Sequence, residues 1–327
     1  MMLDENRLPP FLVPFGQPTT SDPQQAVFNH PRLGSAHSLW WNCTQRRGAP
    51  SAVFLFIPGN PGLMSFYIEF LDFLHVKHPG LAVFGHAHLA HTPKVHAMVN
   101  GLVAQVQSAI EALDAVQAAF PQTRIIISGH SIGAWIALQV LKARPDVLHQ
   151  AFLLTPTLTY MRETPNGIRL NHFFRWPRIL SYLSYLTRLI PLPMFFPDWP
   201  AHQIDVLRSF LNSPATIFAC ASMAHEEMLA IRELDTALLE QHRHRIYLYF
   251  AQEDEWVSTH KSTIIRSFKE MGGEASSVVE ANVPHAFCIN HGHEVAEQCS
   301  AWLRDSESSD VPDAAPIVDL AALERNT

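Results

Sequence analysis

Three residue types that together perform acyl transfer occur in this chain as Ser131, Asp254 and His285. A serine hydroxyl is a weak nucleophile until a base removes its proton, and a histidine oriented by a carboxylate can serve as that base. Each of the three residues lies just beyond an apolar, strand-like run, in the order nucleophile, acid, histidine. This order along the chain is typical of one scaffold among those that carry serine triads. The residues therefore predict a serine hydrolase mechanism.

The residues around Ser131 make this prediction specific. The β-branched run Ile125–Ile127 is followed by the motif G-H-S-I-G and then by an amphipathic helical pattern. Side chains at the two motif glycines would collide with the neighbouring strand and helix, so a tight turn requires glycine there. Strand, G-x-S-x-G and helix form the nucleophile elbow of the α/β-hydrolase fold, a mostly parallel sheet with helices on both faces. The elbow residues are Gly129, His130 and Gly133.

A second loop is placed to stabilise the charge that develops during acyl transfer. The apolar run Ala52–Ile57 has the continuous character of a strand buried on both faces, and Pro-Gly-Asn-Pro-Gly follows it over 58–62. After the first central strand, this fold places half of its oxyanion hole. We expect the backbone N–H groups of Asn60 and Ile132 to bind the oxyanion, each contributing about 3 kcal/mol in the transition state.

The sequence offers more than one acid and more than one histidine for the triad. The chain has 19 histidines, but His285 directly follows a predicted strand, whereas His291 and His293 lie closer to the last helix. Asp254 is flanked by Glu253 and Glu255, whose side chains should point elsewhere on a tight loop.

The elements that must position these residues follow from apolar runs and helical periodicity. Strands are predicted at Phe11–Phe15, Ser38–Thr44, Ala52–Ile57, Leu81–Phe84, Ala151–Leu154, Arg245–Phe250 and Ser276–Val279, and helices at Ser65–His75, Lys94–Phe120, Leu234–His242, Lys261–Met271 and Glu294–Leu303. We therefore divide the chain into N-terminal edge strands (1–50), a hydrolase core (51–157 and 234–304), an insertion (158–233) and a poorly ordered acidic tail (305–327).

Composition excludes several other classes of protein. The net charge of −7 argues against nucleic acid as a partner, and the four cysteines have neither C-x-x-C spacing nor the density of a disulfide scaffold, which fits a reducing compartment. A histidine-rich segment contains His86, His88, His91 and His96, but it lacks helical register and a nearby carboxylate, so structural or pocket-rim histidines are favoured over a metal site. No cofactor is expected, since serine, histidine and backbone amides suffice for acyl transfer.

Within the insertion, the segment Leu170–Pro200 is rich in aromatic and aliphatic residues and is interrupted by prolines. Its longest apolar run is far short of the ~20 residues of a membrane-spanning helix. Amphipathic segments with interleaved aromatic and basic residues favour binding in a lipid interface, whereas a cap that packs its apolar face on the core remains the alternative. The basic residues are Arg169, Arg175, Arg178 and Arg188.

Several motifs together resemble those of the lipid-droplet-associated hydrolases. They are Ile57–Gly62, Gly129–Gly133, Thr164–Gly167, Asp254 with Trp256, and Asn282–Phe287, within a resemblance that spans about Ser51 to Leu303. The resemblance implies an α/β-hydrolase acting on lipid esters, with sterol or cholesteryl esters as proposed substrates. It also implies residence on lipid droplets and the endoplasmic reticulum, facing the cytosol, through apolar segments of the insertion. Carried over to this chain, Ser131 is the nucleophile, Asp254 the acid and His285 the base.

Two alternative functions stay open at this point. One is a soluble cytosolic carboxylesterase or thioesterase whose insertion is a substrate lid. The other is a droplet-coating protein without turnover, against which the complete set of Ser131, Asp254 and His285 argues.

Overall fold

Nine strands form a single sheet in the computed structural model, which describes residues 8–16, 23–44, 49–98, 101–187 and 189–309. The strands are β1 (Leu12–Pro14), β2 (Gln24–His30), β3 (Gly34–Trp41), β4 (Ala52–Ile57), β5 (Leu81–His86), β6 (Arg124–His130), β7 (Leu148–Leu154), β8 (Ile246–Ala251) and β9 (Val278–Ala281). Their order is β1-β2-β3-β5-β4-β6-β7-β8-β9. Strands β1 to β3 are antiparallel, and the other six run parallel to one another.

The central strand β4 shows why this sheet is covered on both faces. All six of its residues are buried, and because side chains alternate between faces, Val53, Leu55 and Ile57 enter one apolar cluster. Ala52, Phe54 and Phe56 enter the other cluster. An apolar residue at every position is what a strand between two helical layers requires.

Eleven α-helices lie within the described part of the chain. They are α1 (Ile68–Lys77), α2 (Leu102–Ala119), α3 (Ile132–Ala143), α4 (Pro165–Phe174), α5 (Pro177–Thr187), α6 (Leu192–Phe195), α7 (Ala201–Leu211), α8 (Pro214–Ala230), α9 (Thr236–His242), α10 (His260–Glu270) and α11 (Gly292–Ser309). Helices α1 and α11 pack on one face of the sheet, and α2, α3, α9 and α10 pack on the other. Helices α4 to α8 occupy the connection between β7 and β8. None of the described helices is both long enough and apolar enough to span a bilayer.

The N-terminal region contains one strand more than predicted. Strand β2 lies between the two predicted edge strands and pairs with both of them. Its buried face carries Gln24, Ala26, Phe28 and His30, so half of that face is polar in sequence. The hydrophobic alternation that identifies a half-buried strand is therefore absent.

The prediction of one helix over Lys94–Phe120 was wrong at its start. The described residues of that span before Leu102, which are 94–98 and 101, are not helical, and Lys94 has a positive φ of 68°. The backbone there pairs with β3 instead, because Ser35 N–H donates to His96 O at 2.9 Å. Helix α2 begins where Glu226 Oε2 accepts a hydrogen bond from Leu102 N–H at 2.6 Å, a cap supplied by a distant part of the chain.

The C-terminal boundary also differs from the prediction. Helix α11 continues through Asp305 to Ser309, so the first five residues of the predicted tail extend a helix. The rest of that prediction, residues 310–327, lies outside the described residues, as does Arg188.

Candidate active site

The structure brings Ser131, His285 and Asp254 together at the carboxyl ends of parallel strands. His285 Nε2 lies 2.9 Å from Ser131 Oγ, and His285 Nδ1 lies 2.7 Å from Asp254 Oδ2. A carboxylate accepts only, so Nδ1 carries the proton and Nε2 is free to accept the Ser131 proton. The Asp254 side chain is 3% exposed, and Trp256 N–H donates to its second oxygen at 2.8 Å. The arrangement can deprotonate a serine hydroxyl and stabilise the imidazolium that results.

Neighbouring carboxylates do not compete for His285. Glu253 and Glu255 are both exposed, and Glu255 pairs with Arg169 at 3.2 Å. The Asp254 loop therefore presents one buried carboxylate to the histidine and directs the other two to solvent.

Ser131 occupies the tip of a strained turn between β6 and α3. Its φ of 55° and ψ of −119° are unusual for a residue with a side chain, and such strain is typical of a nucleophile elbow. A Cβ at Gly129 would overlap the Gly133 carbonyl, and a Cβ at Gly133 would overlap the carbonyls of Ile57 and Pro58. Both glycines are thus required by close backbone approach rather than by their own φ.

The Pro58–Gly62 loop lies directly against the elbow, as a Cβ placed on Gly59 would be only 3.3 Å from Ser131 Cβ. Ile132 is the first residue of α3, so its N–H has no acceptor four residues earlier within the helix. The side chain of Asn60 donates to the Cys220 carbonyl and the Glu227 carboxyl group on helix α8. The placement of this loop agrees with an oxyanion role for Asn60 and Ile132, which stays a prediction.

His130 connects the elbow to two other loops through a chain of buried hydrogen bonds. Its Nε2 donates to the His285 carbonyl at 2.9 Å, so Nδ1 is the acceptor and receives the Tyr67 hydroxyl proton at 2.7 Å. The Tyr67 oxygen in turn accepts from Gly59 N–H at 3.0 Å. Burial lowers the pKa of His130 to about 3, with the positive potential of His285 acting in the same direction. His130 is therefore a weak base whose two ring nitrogens are already hydrogen-bonded, and it cannot replace His285.

The histidine-rich segment supports the loop rather than lining a pocket rim. His91 Nδ1 accepts from Gly62 N–H at 3.1 Å, and His88 donates to the Pro58 carbonyl. Burial lowers the pKa of His88 to about 4 and that of His91 well below its usual value, which keeps both rings neutral. His86 hydrogen-bonds Ser108, whereas His96 is exposed. Among the described residues, no group of three or more histidine, cysteine or acidic side chains could hold a metal ion.

A second serine–histidine–carboxylate set occurs elsewhere in the structure. Its hydrogen bonds resemble those of the triad, but it lacks an accessible nucleophile and an oxyanion hole. Ser108 Oγ lies 2.9 Å from His30 Nε2, and His30 Nδ1 lies 2.7 Å from Glu111 Oε2. Ser108, however, is in the middle of α2 and is 1% exposed. Since the amides around it are used within the helix, no oxyanion could be stabilised there.

The structure also reveals supporting residues that sequence reasoning missed. Tyr67 and Glu227 contact the Pro58–Gly62 loop, yet neither belongs to a recognisable motif. The only signal for Glu227 is a carboxyl group in a helix otherwise made largely of small and apolar residues.

The fold and the placement of these residues define the class of protein, an α/β-hydrolase. A structure of similar architecture is that of 2-hydroxy-6-oxo-6-phenylhexa-2,4-dienoate hydrolase from a Rhodococcus species, with a TM-score of 0.64 and 18% identity over 86% of this chain and 98% of that one.

The chain belongs to the lipid-droplet associated hydrolase family, whose model matches residues 50–288. The lipid droplet-associated hydrolase of Rattus norvegicus is 27% identical over 297 residues, which cover 81% of this chain and 89% of the relative. The Homo sapiens relative of the same name is 28% identical over 79% of this chain and 86% of its own length. The family resemblance predicted from the motifs is confirmed.

Proposed function

We propose that this chain is a serine esterase that hydrolyses hydrophobic carboxylic esters, of the sterol-ester type, at the surface of lipid droplets and on the cytosolic face of the endoplasmic reticulum. The observation that carries the catalytic part is His285, which contacts Ser131 through Nε2 and Asp254 through Nδ1. Membership of a hydrolase family supports the same reaction class. The substrate type and the endoplasmic reticulum follow from the family resemblance.

In the proposed mechanism, Ser131 Oγ attacks the ester carbonyl while its proton passes to His285 Nε2. The negative charge moves to the carbonyl oxygen, which the N–H groups of Asn60 and Ile132 stabilise. When the tetrahedral intermediate collapses, the alcohol leaves with the proton from His285, and an acyl group remains on Ser131. Water then repeats the sequence with His285 as base, releasing the carboxylic acid and restoring the hydroxyl. Asp254 holds the imidazole orientation throughout.

The proposed contact with lipid rests on helix α5, whose amphipathic pattern is inverted. Its buried residues are Ser181 and Ser184, whereas Tyr182 and Leu186 are 72% and 64% exposed. Each buried serine hydroxyl bonds a carbonyl of its own helix, so serine packs against α8 without an unpaired polar atom. A helix with its apolar face directed outward matches an apolar phase rather than water.

The exposed apolar side chains extend beyond α5, and basic residues flank them. The larger ones are Ile168, Phe173, Trp176, Ile179, Leu183, Tyr185, Leu189, Met194 and Phe195. Arg175 and Arg178 lie on the same segment, where they can pair with lipid phosphates while the aromatic rings lie at headgroup depth. Arg169, just before the segment, is paired with Glu255. The segment 170–200, with Ile168 just before it, is the proposed lipid-binding surface.

The experiment that tests the catalytic proposal is fluorophosphonate labelling of the purified full-length protein. The wild type should label, Ser131→Ala and His285→Ala should not, and Ser108→Ala should label as the wild type does. Circular dichroism checks that each variant is folded. A folded wild type that fails to label, both in detergent and on lipid emulsions, would favour the droplet-coating protein. Labelling with turnover of soluble esters or thioesters only would favour the soluble carboxylesterase or thioesterase.

A further inference from the structure

Glu227 on helix α8 is a buried carboxyl group that contacts the proposed oxyanion loop. It is 2% exposed, and its Oε1 accepts a hydrogen bond from Asn60 Nδ2 at 2.8 Å. The same Asn60 nitrogen donates to the Cys220 carbonyl, about two turns earlier on α8, at 3.0 Å. Both N–H bonds of the Asn60 amide are therefore directed to α8.

Because Glu227 is buried, its contact with Asn60 affects the energetics of the loop as well as its packing. Burial raises the pKa of Glu227 to about 7, and the nearby negative charge of Glu226 raises it further. The hydrogen bond from Asn60 lowers this pKa. Burying a carboxyl group is unfavourable, so its hydrogen bond to Asn60 is the compensation that holds it in place. The contact links residues 167 positions apart in the chain.

Three further side chains that hold the loop come from the hydrolase core. Tyr67 accepts from Gly59 N–H, His91 accepts from Gly62 N–H, and His88 donates to the Pro58 carbonyl. These contacts fix the loop on both sides of Asn60. The orientation of Asn60 itself is set by α8, which belongs to the predicted insertion.

We propose that Glu227 is a positioning residue: by holding the Asn60 side chain, it directs the backbone N–H of Asn60 toward the oxyanion formed at Ser131. This inference rests on the proposed function, which assigns that N–H to the oxyanion hole. It adds that the insertion completes the catalytic site and is more than a surface for lipid. Oxyanion donors act only when they are held in position before the charge develops, so a loosened Asn60 lowers turnover more than substrate binding.

The test compares Glu227→Ala and Glu227→Gln with the wild type on p-nitrophenyl butyrate, a soluble ester that does not require lipid docking. Glu227→Ala should lower kcat about 10- to 100-fold with KM within about twofold, since a mispositioned donor costs less than the 10²–10³-fold of a removed one. It should weaken inhibition by an aryl trifluoromethyl ketone, whose tetrahedral adduct on the serine carries the oxyanion, by a similar factor. Glu227→Gln keeps an oxygen acceptor for Asn60 and should stay within about threefold of the wild type.

Asn60→Ala breaks the same contact from the loop side and keeps the backbone N–H, so it provides the test if Glu227→Ala does not fold. It should lower kcat and inhibitor affinity as Glu227→Ala does, and the double variant should be no worse than either single variant. Glu226→Gln is the matched control, because Glu226 is the adjacent carboxyl and caps α2.

Two results would overturn this inference while leaving an active Ser131 in place. One is that Glu227→Ala and Asn60→Ala keep the wild-type kcat and inhibitor affinity. The other is that the losses of the two single variants add up in the double variant. A wild type that neither labels nor turns over would instead remove the proposed function, and this inference with it.

Discussion

His130 Nε2 donates a hydrogen bond to the backbone carbonyl of His285 at 2.9 Å, so the residue that precedes the proposed nucleophile holds the loop of the proposed base. The same carbonyl also accepts from Thr155 Oγ1 at 3.2 Å. The imidazole that must reach Ser131 is therefore positioned from the backbone side as well as through Asp254.

His130→Phe should keep an aromatic ring, of somewhat larger volume, but lose the buried hydrogen bond to Tyr67 and the partly buried one to the His285 carbonyl. We expect a loss of about 1–3 kcal/mol in the free energy of unfolding and a kcat reduced about tenfold. Urea unfolding and the p-nitrophenyl butyrate assay measure the two effects. His96→Phe changes an exposed histidine and serves as control. Unchanged stability and turnover in His130→Phe would show that the bond to the His285 loop is dispensable.

Asp254→Asn should lower kcat by about 10³- to 10⁴-fold, because an amide favours the wrong tautomer of His285. Fluorophosphonate labelling should slow in parallel. Glu255→Gln, one residue along the same loop, should remain active because Glu255 faces Arg169 at the surface. If Glu255→Gln lost activity and Asp254→Asn kept it, the assignment of the acid would be wrong.

Gly133→Ala should destabilise the protein by about 1–3 kcal/mol or more, since the new methyl group meets the backbone of Ile57 and Pro58 rather than movable side chains. Gly292→Ala is the control, because its nearest contact would be Phe70 at 3.4 Å, an ordinary van der Waals distance. We expect the control to stay within about 0.5 kcal/mol of the wild type in urea unfolding. Equal stability of the two variants would contradict the close approach described for the elbow.

Stability should fall as the solution becomes more acidic than about pH 6.5. Burial lowers the pKa of His130 to about 3 and those of His37 and His88 to about 4, so between these values and 6.5 the unfolded chain binds more protons than the folded one. Each such histidine contributes at most about 1.4 kcal/mol per pH unit. Glu227 contributes in the opposite direction, because burial raises its pKa to about 7. Between pH 7 and its ordinary pKa of 4.5, the folded state binds more protons at Glu227 than the unfolded state does, so acid stabilises the protein through this group.

Urea unfolding at pH 7.5, 6.5 and 5.5 measures this dependence. Glu227→Gln removes the opposing contribution, so its stability should decrease more steeply with acid than that of the wild type. A stability that is constant or rises from pH 7.5 to 5.5 would contradict the neutral state of the buried histidines.

Replacing Tyr182 and Leu186 together by serine should release the protein from lipid. Burying one large apolar side chain is worth about 1.5–3 kcal/mol, so two should change partitioning more than 100-fold. Flotation with triolein emulsions coated by phospholipid measures this. Val76→Ser with Val103→Ser removes two other exposed apolar side chains, on α1 and α2, and should not affect flotation. Flotation of the α5 variant at the wild-type level would show that α5 does not dock.

The features predicted well from the sequence are those encoded locally. A buried strand, a glycine-bounded turn and an amphipathic helix follow one another over 125–141, so the nucleophile elbow requires no knowledge of the rest of the chain. Asp254 and His285 could be chosen because each follows a strand, and parallel strands bring their carboxyl ends to one edge. The structure places these three residues within hydrogen-bonding distance of one another.

The features missed depend on contacts between distant segments. The start of α2 is set by Glu226, and the orientation of Asn60 is set by Glu227, both on a helix more than 120 residues further along the chain. The structural role of His88 and His91 required the position of a loop almost 30 residues earlier. Periodicity reports which face of an element is buried, but it does not report which side chain caps or holds another element.

Adjacent carboxylates on α8 tie the insertion to the core at two places, Glu226 at the start of α2 and Glu227 at Asn60. The insertion therefore cannot be exchanged as an independent unit. Grafting the 158–233 region of another hydrolase onto this core would leave one helix uncapped and one loop unanchored, even if the graft closed without strain. A chimera meant to alter lipid targeting should exchange α5 alone and retain α8.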